Sequence, residues 1–139
     1  MDRFKEYNDQ YGHQAGDRVL QGIGSILVQC TRENVDWCFR FGGDEFALII
    51  PYATVAQVGQ IADRIQARYG QEPGYAPTSL SIGLAQFVRH PGASWSEDIA
   101  DLVARADKAL YSGKEQGGKR VIADASLLCP GESEAGTDP

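Results

Sequence analysis

The stretch Trp37-Cys38-Phe39-Arg40-Phe41-Gly42-Gly43-Asp44-Glu45-Phe46-Ala47-Leu48-Ile49-Ile50 decides the fold. Its two halves, Trp37 to Phe41 and Phe46 to Ile50, are short aromatic and aliphatic runs of the kind that fill strands. Between them Gly42-Gly43-Asp44-Glu45 supplies the glycines that a tight reversal needs, so a β-hairpin is expected. Pro51 stops the second strand. Strands of this composition belong deep in the core, and their turn then carries two adjacent carboxylates, Asp44 and Glu45. Taken alone, such a turn reads first as a plain polar reversal.

Outward from the hairpin the apolar period changes from two to about 3.6. Upstream, Val19, Leu20, Ile23, Ile26, Leu27 and Cys30 share one helix face from Gly16 onward, with Asp17 near the start. Downstream, Val55, Val58, Ile61, Ala62, Ile65 and Tyr69 predict a second helix that reaches Gly70. A loop over Gln71 to Pro77 leads to Leu80, Ile82 and Leu84, which alternate with Ser79, Ser81, Gly83 and Ala85 as a strand would. After a further loop, His90 to Trp95, the residues Ile99, Leu102, Val103, Ala106 and Leu110 predict a third helix, ended by Gly113 or shortly after. Arg120 to Ala123 make a last short strand, and Met1 to Phe4 look like the end of a strand begun upstream. With that strand restored the order is β-α-β-β-α-β plus an added helix and strand. The expected class is therefore α/β (α+β): a ferredoxin-like palm whose mostly antiparallel central sheet is flanked by helices.

With 139 residues, 42% of them hydrophobic, the chain suits one globular domain with a single core. A formal charge of −6 argues against a nucleic-acid platform. The charge is uneven. Asp124, Glu132, Glu134 and Asp138 stand without a base in a Ser, Gly and Pro-rich end, read as a flexible acidic tail over 124–139, whereas Arg105, Lys108, Lys114, Lys119 and Arg120 outnumber Asp107 and Glu115. Cys30, Cys38 and Cys129 fit neither a metal knuckle nor a disulfide framework, which suggests reduced thiols in a cytoplasmic segment. No apolar run is long enough for a membrane span, so no membrane contact is expected of this segment. His13 and His90 have no partner at ligand spacing and read as structural or surface residues.

What changes the reading of the carboxylate turn is its company. The phrases DRFKEYNDQYGHQAGD, RFGGDEFALI, SLSIGLA and ADKALYSGK follow one another in order from Asp2 to Lys114. With them the chain resembles the GGDEF family of diguanylate cyclases from Met1 to about Ile122. The resemblance implies a palm of nucleotide-cyclase type over residues 1–123, and condensation of two GTP into cyclic di-GMP and pyrophosphate within a bacterial signalling protein. It implies Mg²⁺ or Mn²⁺ as the metal, held by Asp44 and Glu45, with Glu45 also assisting deprotonation of the attacking hydroxyl. Hard oxygen ligands suit such ions, and the chemistry spreads negative charge that metal must neutralise. Gly42 and Gly43 would let a triphosphate approach the backbone. Asn8 and Asp17 match the guanine readers, an amide and a carboxylate for the edge of the base, although singly they also read as a turn and a helix cap. Phe4 falls in the substrate-side phrase, and Lys5 and Lys114 match phosphate-binding lysines. Catalysis would need a homodimer, because one chain holds one GTP, and the parent protein would carry sensory or effector domains.

The chain departs from the family pattern in three places. The phrase normally reads Asp-x-Asp-x-Phe-Lys, and its first Asp binds metal; Asp2 matches the second, so one metal ligand, most of the opening strand and the helix before it are expected to be missing here, and this chain alone is expected to be weak or inactive. Gly118 stands where an Arg often follows the lysine, leaving Lys119 or Arg120 as substitutes of different geometry. At the product-inhibition site, normally Arg-x-x-Asp, Asp36 is in place but Glu33 occupies the Arg position and Arg32 lies one residue further away. Feedback inhibition there is expected to be weak, unless the Glu33-Asn34-Val35 turn lets Arg32 swing across. The rival reading is a catalytically silent module that binds GTP or a partner and regulates a neighbouring domain. A weaker third is another palm-fold nucleotidyl transferase.

Overall fold

Where the end of a strand was expected, the chain opens instead with two helices. The computed structural model describes residues 1–124, and in it Phe4–Tyr11 form helix α1 and His13–Cys30 form α2. Gly12, at φ 83°, breaks the helical path between them, a conformation that glycine adopts without steric cost. Of the expected strand only Asp2 remains extended, in an isolated antiparallel bridge to Ser79. Helix α1 escaped the sequence reading because it is eight residues long and buries only Tyr7, so it shows no apolar repeat.

Helix α2 is the centre of the core. Val19, Ile23, Ile26, Leu27 and Cys30 are buried on one face, together with Tyr7, Ile65, Tyr69 and Leu80. Each such aliphatic side chain contributes roughly 1.5–3 kcal/mol by leaving water. The hairpin forms as expected: β1 (Trp37–Gly42) pairs antiparallel with β2 (Glu45–Ile49), Trp37 opposite Ile49 and Gly42 opposite Glu45, with an irregularity between Arg40 and Gly42. Period two sends Cys38, Phe46 and Leu48 into the core and leaves Trp37, Phe39, Phe41 and Ile49 exposed on the other face. Helix α3 (Val55–Gln71) starts at a capping box in which Thr54 and Gln57 satisfy each other's backbone N–H groups.

Beyond α3, Tyr69 donates or accepts at Thr78 Oγ1 (2.6 Å), fixing the loop that leads into β3 (Ile82–Leu84). Helix α4 (Trp95–Glu115) begins at a second capping box, Ser94 with Glu97, and returns the chain to β4 (Val121–Ala123). β4 runs parallel to β3, Ile82 beside Val121 and Leu84 beside Ala123. A parallel pair requires a long crossover between its strands, which α4 provides. The described strands thus pair in two sets, and Met1 and Asp2 lie between them: the Met1 backbone nitrogen donates to the carbonyl of Asp44 in the hairpin turn, while Asp2 and Ser79 exchange backbone hydrogen bonds. The tail expected from Asp124 lies outside the described residues except for Asp124 itself. Asp124 is held, its N–H bonded to the Leu84 carbonyl and its carboxylate 3.3 Å from Arg105.

Candidate active site

The turn of the hairpin stands open. A β-carbon added at Gly42 or Gly43 would meet nothing within 4 Å, and Gly43 adopts φ 44°, so bare backbone is presented where the two carboxylates begin. Arg40 braces this turn from β1, its guanidinium donating twice to the Gly43 carbonyl at 2.7 and 3.0 Å. The sequence reading missed that brace, although a base three residues before the turn glycine was its visible signal. Glu45 is exposed and Asp44 half-buried. The Met1 backbone nitrogen lies against Asp44, 2.9 Å from its carbonyl oxygen and 3.3 Å from its carboxylate. The carboxylates of Asp44 and Glu45 are hard oxygen donors of the kind that Mg²⁺ or Mn²⁺ prefers. Among the described residues no three His, Cys, Asp or Glu side chains gather in one place. The residues fit such an ion in kind.

The second part of the site is built where α1 crosses α2. Phe4 and Asn8, one turn apart, both lean on Gly16: a β-carbon there would lie 1.8 Å from Asn8 Oδ1 and 3.1 Å from Phe4 Cζ. Phe4 is also packed against the core, which gives it a structural task whatever else it does. Asn8 Oδ1 is buried and has no hydrogen-bond partner, so the amide is oriented by packing and not by a competing bond. Asp17, the next residue after Gly16, is exposed and makes no helix-capping bond. An amide and a free carboxylate on neighbouring turns can read a base that offers both acceptors and donors.

Two lysines named from the sequence, Lys5 in the first turn of α1 and Lys114 in the last turn of α4, are exposed. Asp2 ties their neighbourhoods together. Its Oδ2 accepts hydrogen bonds from Ser79 Oγ (2.7 Å), Ser81 Oγ (3.0 Å) and the backbone N–H of Lys119 (3.0 Å). The start of α1, the approach to β3 and the turn after α4 therefore meet at one carboxylate, next in sequence to Met1, whose backbone nitrogen reaches Asp44.

Arg32 and Asp36 are not part of this assembly. They lie at the far end of β1, six residues and about 17 Å of strand from the turn. Arg32 clasps Asp36 with its backbone N–H and guanidinium, the shortest contact 2.6 Å, and also donates to the Pro51 carbonyl. Asn34, at φ 59°, bends the Glu33-Asn34-Val35 turn enough for this contact. The Arg32 hydrogen bonds hold the Asp36 carboxyl below its ordinary pKa, with burial opposing. His90 also gains a partner that spacing did not reveal: Asp98, fully buried, accepts from its backbone N–H and its Nδ1 (2.9 Å) and pairs with Arg89. Arg89 in turn covers the Trp95 ring at 4.5 Å. This cluster locks the loop before α4.

Residues 1–120 match the sequence model of the family "Diguanylate cyclase, GGDEF domain". The chain is 36% identical over 127 residues to the diguanylate cyclase DosC of Escherichia coli, an alignment covering 87% of this chain and 26% of that protein. It thus spans about a quarter of the length of the curated relatives it matches. Among solved structures it resembles the GGDEF domain of YfiN from Pseudomonas aeruginosa (37% identity, TM-score 0.70, 88% of this chain and 76% of that one). It also resembles the GGDEF domain of DgcB from Caulobacter crescentus, solved in complex with c-di-GMP (27% identity, TM-score 0.68, 88% and 72%).

Proposed function

The chain belongs to the GGDEF diguanylate cyclase family, and from that membership we propose that it is the cyclase domain of a longer signalling protein, joining two GTP molecules into cyclic di-GMP. The observation that carries this reading is the hairpin turn, where bare backbone at Gly42 and Gly43 leads into a half-buried Asp44 and an exposed Glu45. Asn8 and Asp17 read guanine, the amide oriented by Gly16 and the carboxylate left free for the donors of the base. Lys5 and Lys114 meet the phosphates, and Gly42 and Gly43 let them close on the backbone. A divalent ion, Mg²⁺ or Mn²⁺, held by Asp44 and Glu45 would neutralise the charge that develops at the α-phosphate.

In each of the two steps a 3′-oxygen forms a bond to the α-phosphorus of the other GTP, the bond from that phosphorus to its β-phosphate oxygen breaks, and pyrophosphate leaves. Glu45 takes the hydroxyl proton. Each chain holds one GTP, so two chains must face each other, and holding the reactants in that geometry is a large part of the acceleration. Among the described residues no helix is long and apolar enough to cross a membrane.

The test compares nucleotides in the full-length parent. GTP yields cyclic di-GMP by chromatography and ATP is turned over at least 100-fold more slowly, on the order that a base-reading hydrogen-bond pair discriminates. Equal use of ATP overturns the guanine assignment. Glu45→Gln, which keeps shape and removes charge, abolishes turnover while the circular dichroism stays unchanged. A second reading, a silent module that binds GTP or a partner, is favoured by Gly118, which stands where the family often has an arginine. It predicts that GTP binds and no product forms even in the parent.

A further inference from the structure

Asn8, the amide assigned above to guanine, rides on a helix that cannot hold itself in place. Helix α1 has eight residues, short of the length at which an isolated helix is stable in water, and no side chain caps its start, where Arg3 sits at φ 58°. Its N-terminal end is tied down by Asp2, which exchanges backbone hydrogen bonds with Ser79. Beyond that point Tyr7 is the only buried residue of the helix, at 6% exposure. The Tyr7 ring joins the core cluster that holds Tyr69 and Leu80, and it packs at 4.7 Å on Tyr11, one turn further along α1. Its hydroxyl donates to the Gly74 carbonyl at 2.9 Å, across 67 positions of sequence.

That acceptor is itself fixed. Gly74 adopts φ 84°, a conformation open to glycine, and its neighbour Tyr75 is clamped between two helices. The Tyr75 hydroxyl stands over Gly22 of α2, where a β-carbon would lie 1.7 Å from it, and the Tyr75 ring packs on Tyr69 of α3 at 5.1 Å. Thr78 closes the loop, bonded to the Tyr69 hydroxyl at 2.6 Å and to the Tyr75 carbonyl. The loop after α3 is thus seated on α2 and α3, and through Tyr7 it holds α1. Asn8 follows Tyr7 directly. Its Oδ1 is buried against Gly16 with no hydrogen bond to keep it there, so the anchor of the neighbouring residue sets its place.

We propose that Tyr7 is a positioning residue for base recognition, which holds α1 against α2 through the Gly74 carbonyl so that Asn8 stays seated over Gly16. The inference rests on the guanine reading above. Buried as it is, Tyr7 acts through Asn8 and not by contact with the nucleotide. Without its hydrogen bond α1 spends part of its time away from α2, and the apparent affinity for the base falls with the fraction of chains still competent. The phosphate side moves less, because Lys5 stands between Tyr7 and the Asp2 bridge.

The experiment titrates the 139-residue chain by calorimetry with GTP, ATP and inorganic tripolyphosphate in Mg²⁺. Tyr7→Phe keeps the ring in the core and removes only the hydroxyl. It lowers the preference for GTP over ATP about threefold to tenfold, on the scale of one hydrogen bond, and leaves tripolyphosphate affinity within about twofold. Asn8→Ala lowers the preference at least as far, and adding Tyr7→Phe to it lowers the preference no further. Thr31→Val removes a hydroxyl of the same kind at the end of α2, bonded to the Leu27 carbonyl at 2.9 Å, and leaves the preference unchanged. An unchanged preference in Tyr7→Phe, additive losses in the double variant, or an equal loss in Thr31→Val would each overturn the proposal. So would a loss of tripolyphosphate binding in Tyr7→Phe as large as the loss of GTP binding, since the effect would then not be one on base recognition. If the unmodified chain binds GTP no better than ATP, the guanine reading falls, and this proposal with it. That outcome shows in the unmodified chain and is distinct from failure of Tyr7 alone.

Discussion

At Gly16 a single hydrogen atom decides whether Asn8 can occupy its place. The 1.8 Å between a notional β-carbon and Asn8 Oδ1 leaves no room for alanine unless the amide moves. Gly16→Ala raises helix propensity, yet it is expected to weaken GTP binding about fivefold to tenfold while tripolyphosphate binding is unaffected, since only base recognition is disturbed. Titration with the two ligands separates these effects. Arg32 and Asp36 carry a second residue-scale prediction. Because Arg32 depresses the Asp36 pKa, the pair stabilises the fold above the ordinary carboxylate pKa of about 4, and this contribution is lost as pH falls through the depressed value. Arg32→Ala should bring the Asp36 titration, followed by carboxyl carbon resonance in NMR, back up to the ordinary range. A titration that does not move would show that the pair is not populated in solution.

Between elements, α4 lies against β3 main chain to main chain. At Gly83 a β-carbon would stand 2.3 Å from the Ala106 carbonyl and 2.6 Å from the Leu110 backbone nitrogen, and main chain cannot yield as a side-chain tip can. Gly83→Ala is therefore expected to destabilise the chain by about 1–3 kcal/mol or more, measured by urea unfolding. The same substitution at Gly59 or Gly70, in helix α3 with open space around the β-carbon, should cost nothing by packing and gain some helix propensity. The contrast matters for function because α4 carries Lys114 and leads into the Asp2 turn. A helix standing away from β3 would carry the phosphate side of the site with it.

For the molecule as a whole, the hairpin presents an uncovered aromatic face. Trp37 and Phe41 are 61% and 72% exposed, with Phe39 and Ile49 beside them. Apolar surface gathered in this way favours association. The isolated chain is expected to self-associate with rising concentration in analytical ultracentrifugation, and Trp37→Ser with Phe41→Ser should shift it toward monomer. Any cyclic di-GMP that this chain forms should rise faster than linearly with its concentration, as two facing sites require. A strictly linear dependence would contradict the need for two chains.

How much of this was legible in the sequence follows from the range of the forces involved. The hairpin and helices α2, α3 and α4 were readable because their apolar residues repeat at the period of the element, a pattern set by backbone geometry within a few residues. Ordered motifs likewise pointed to Asp44, Glu45, Asn8, Asp17 and the lysines as candidates. Helix α1, with one buried residue, left no such pattern. Contacts between distant residues were beyond reach. Asp2 meets Lys119 across 117 positions and the Tyr7 hydroxyl meets the Gly74 carbonyl across 67. Arg32 reaches Asp36 only because Asn34 takes a left-handed bend, and His90 finds Asp98 only once a loop folds over the start of α4. Local period determines which faces are apolar; which polar groups meet depends on how those faces pack, and only the tertiary structure decided it.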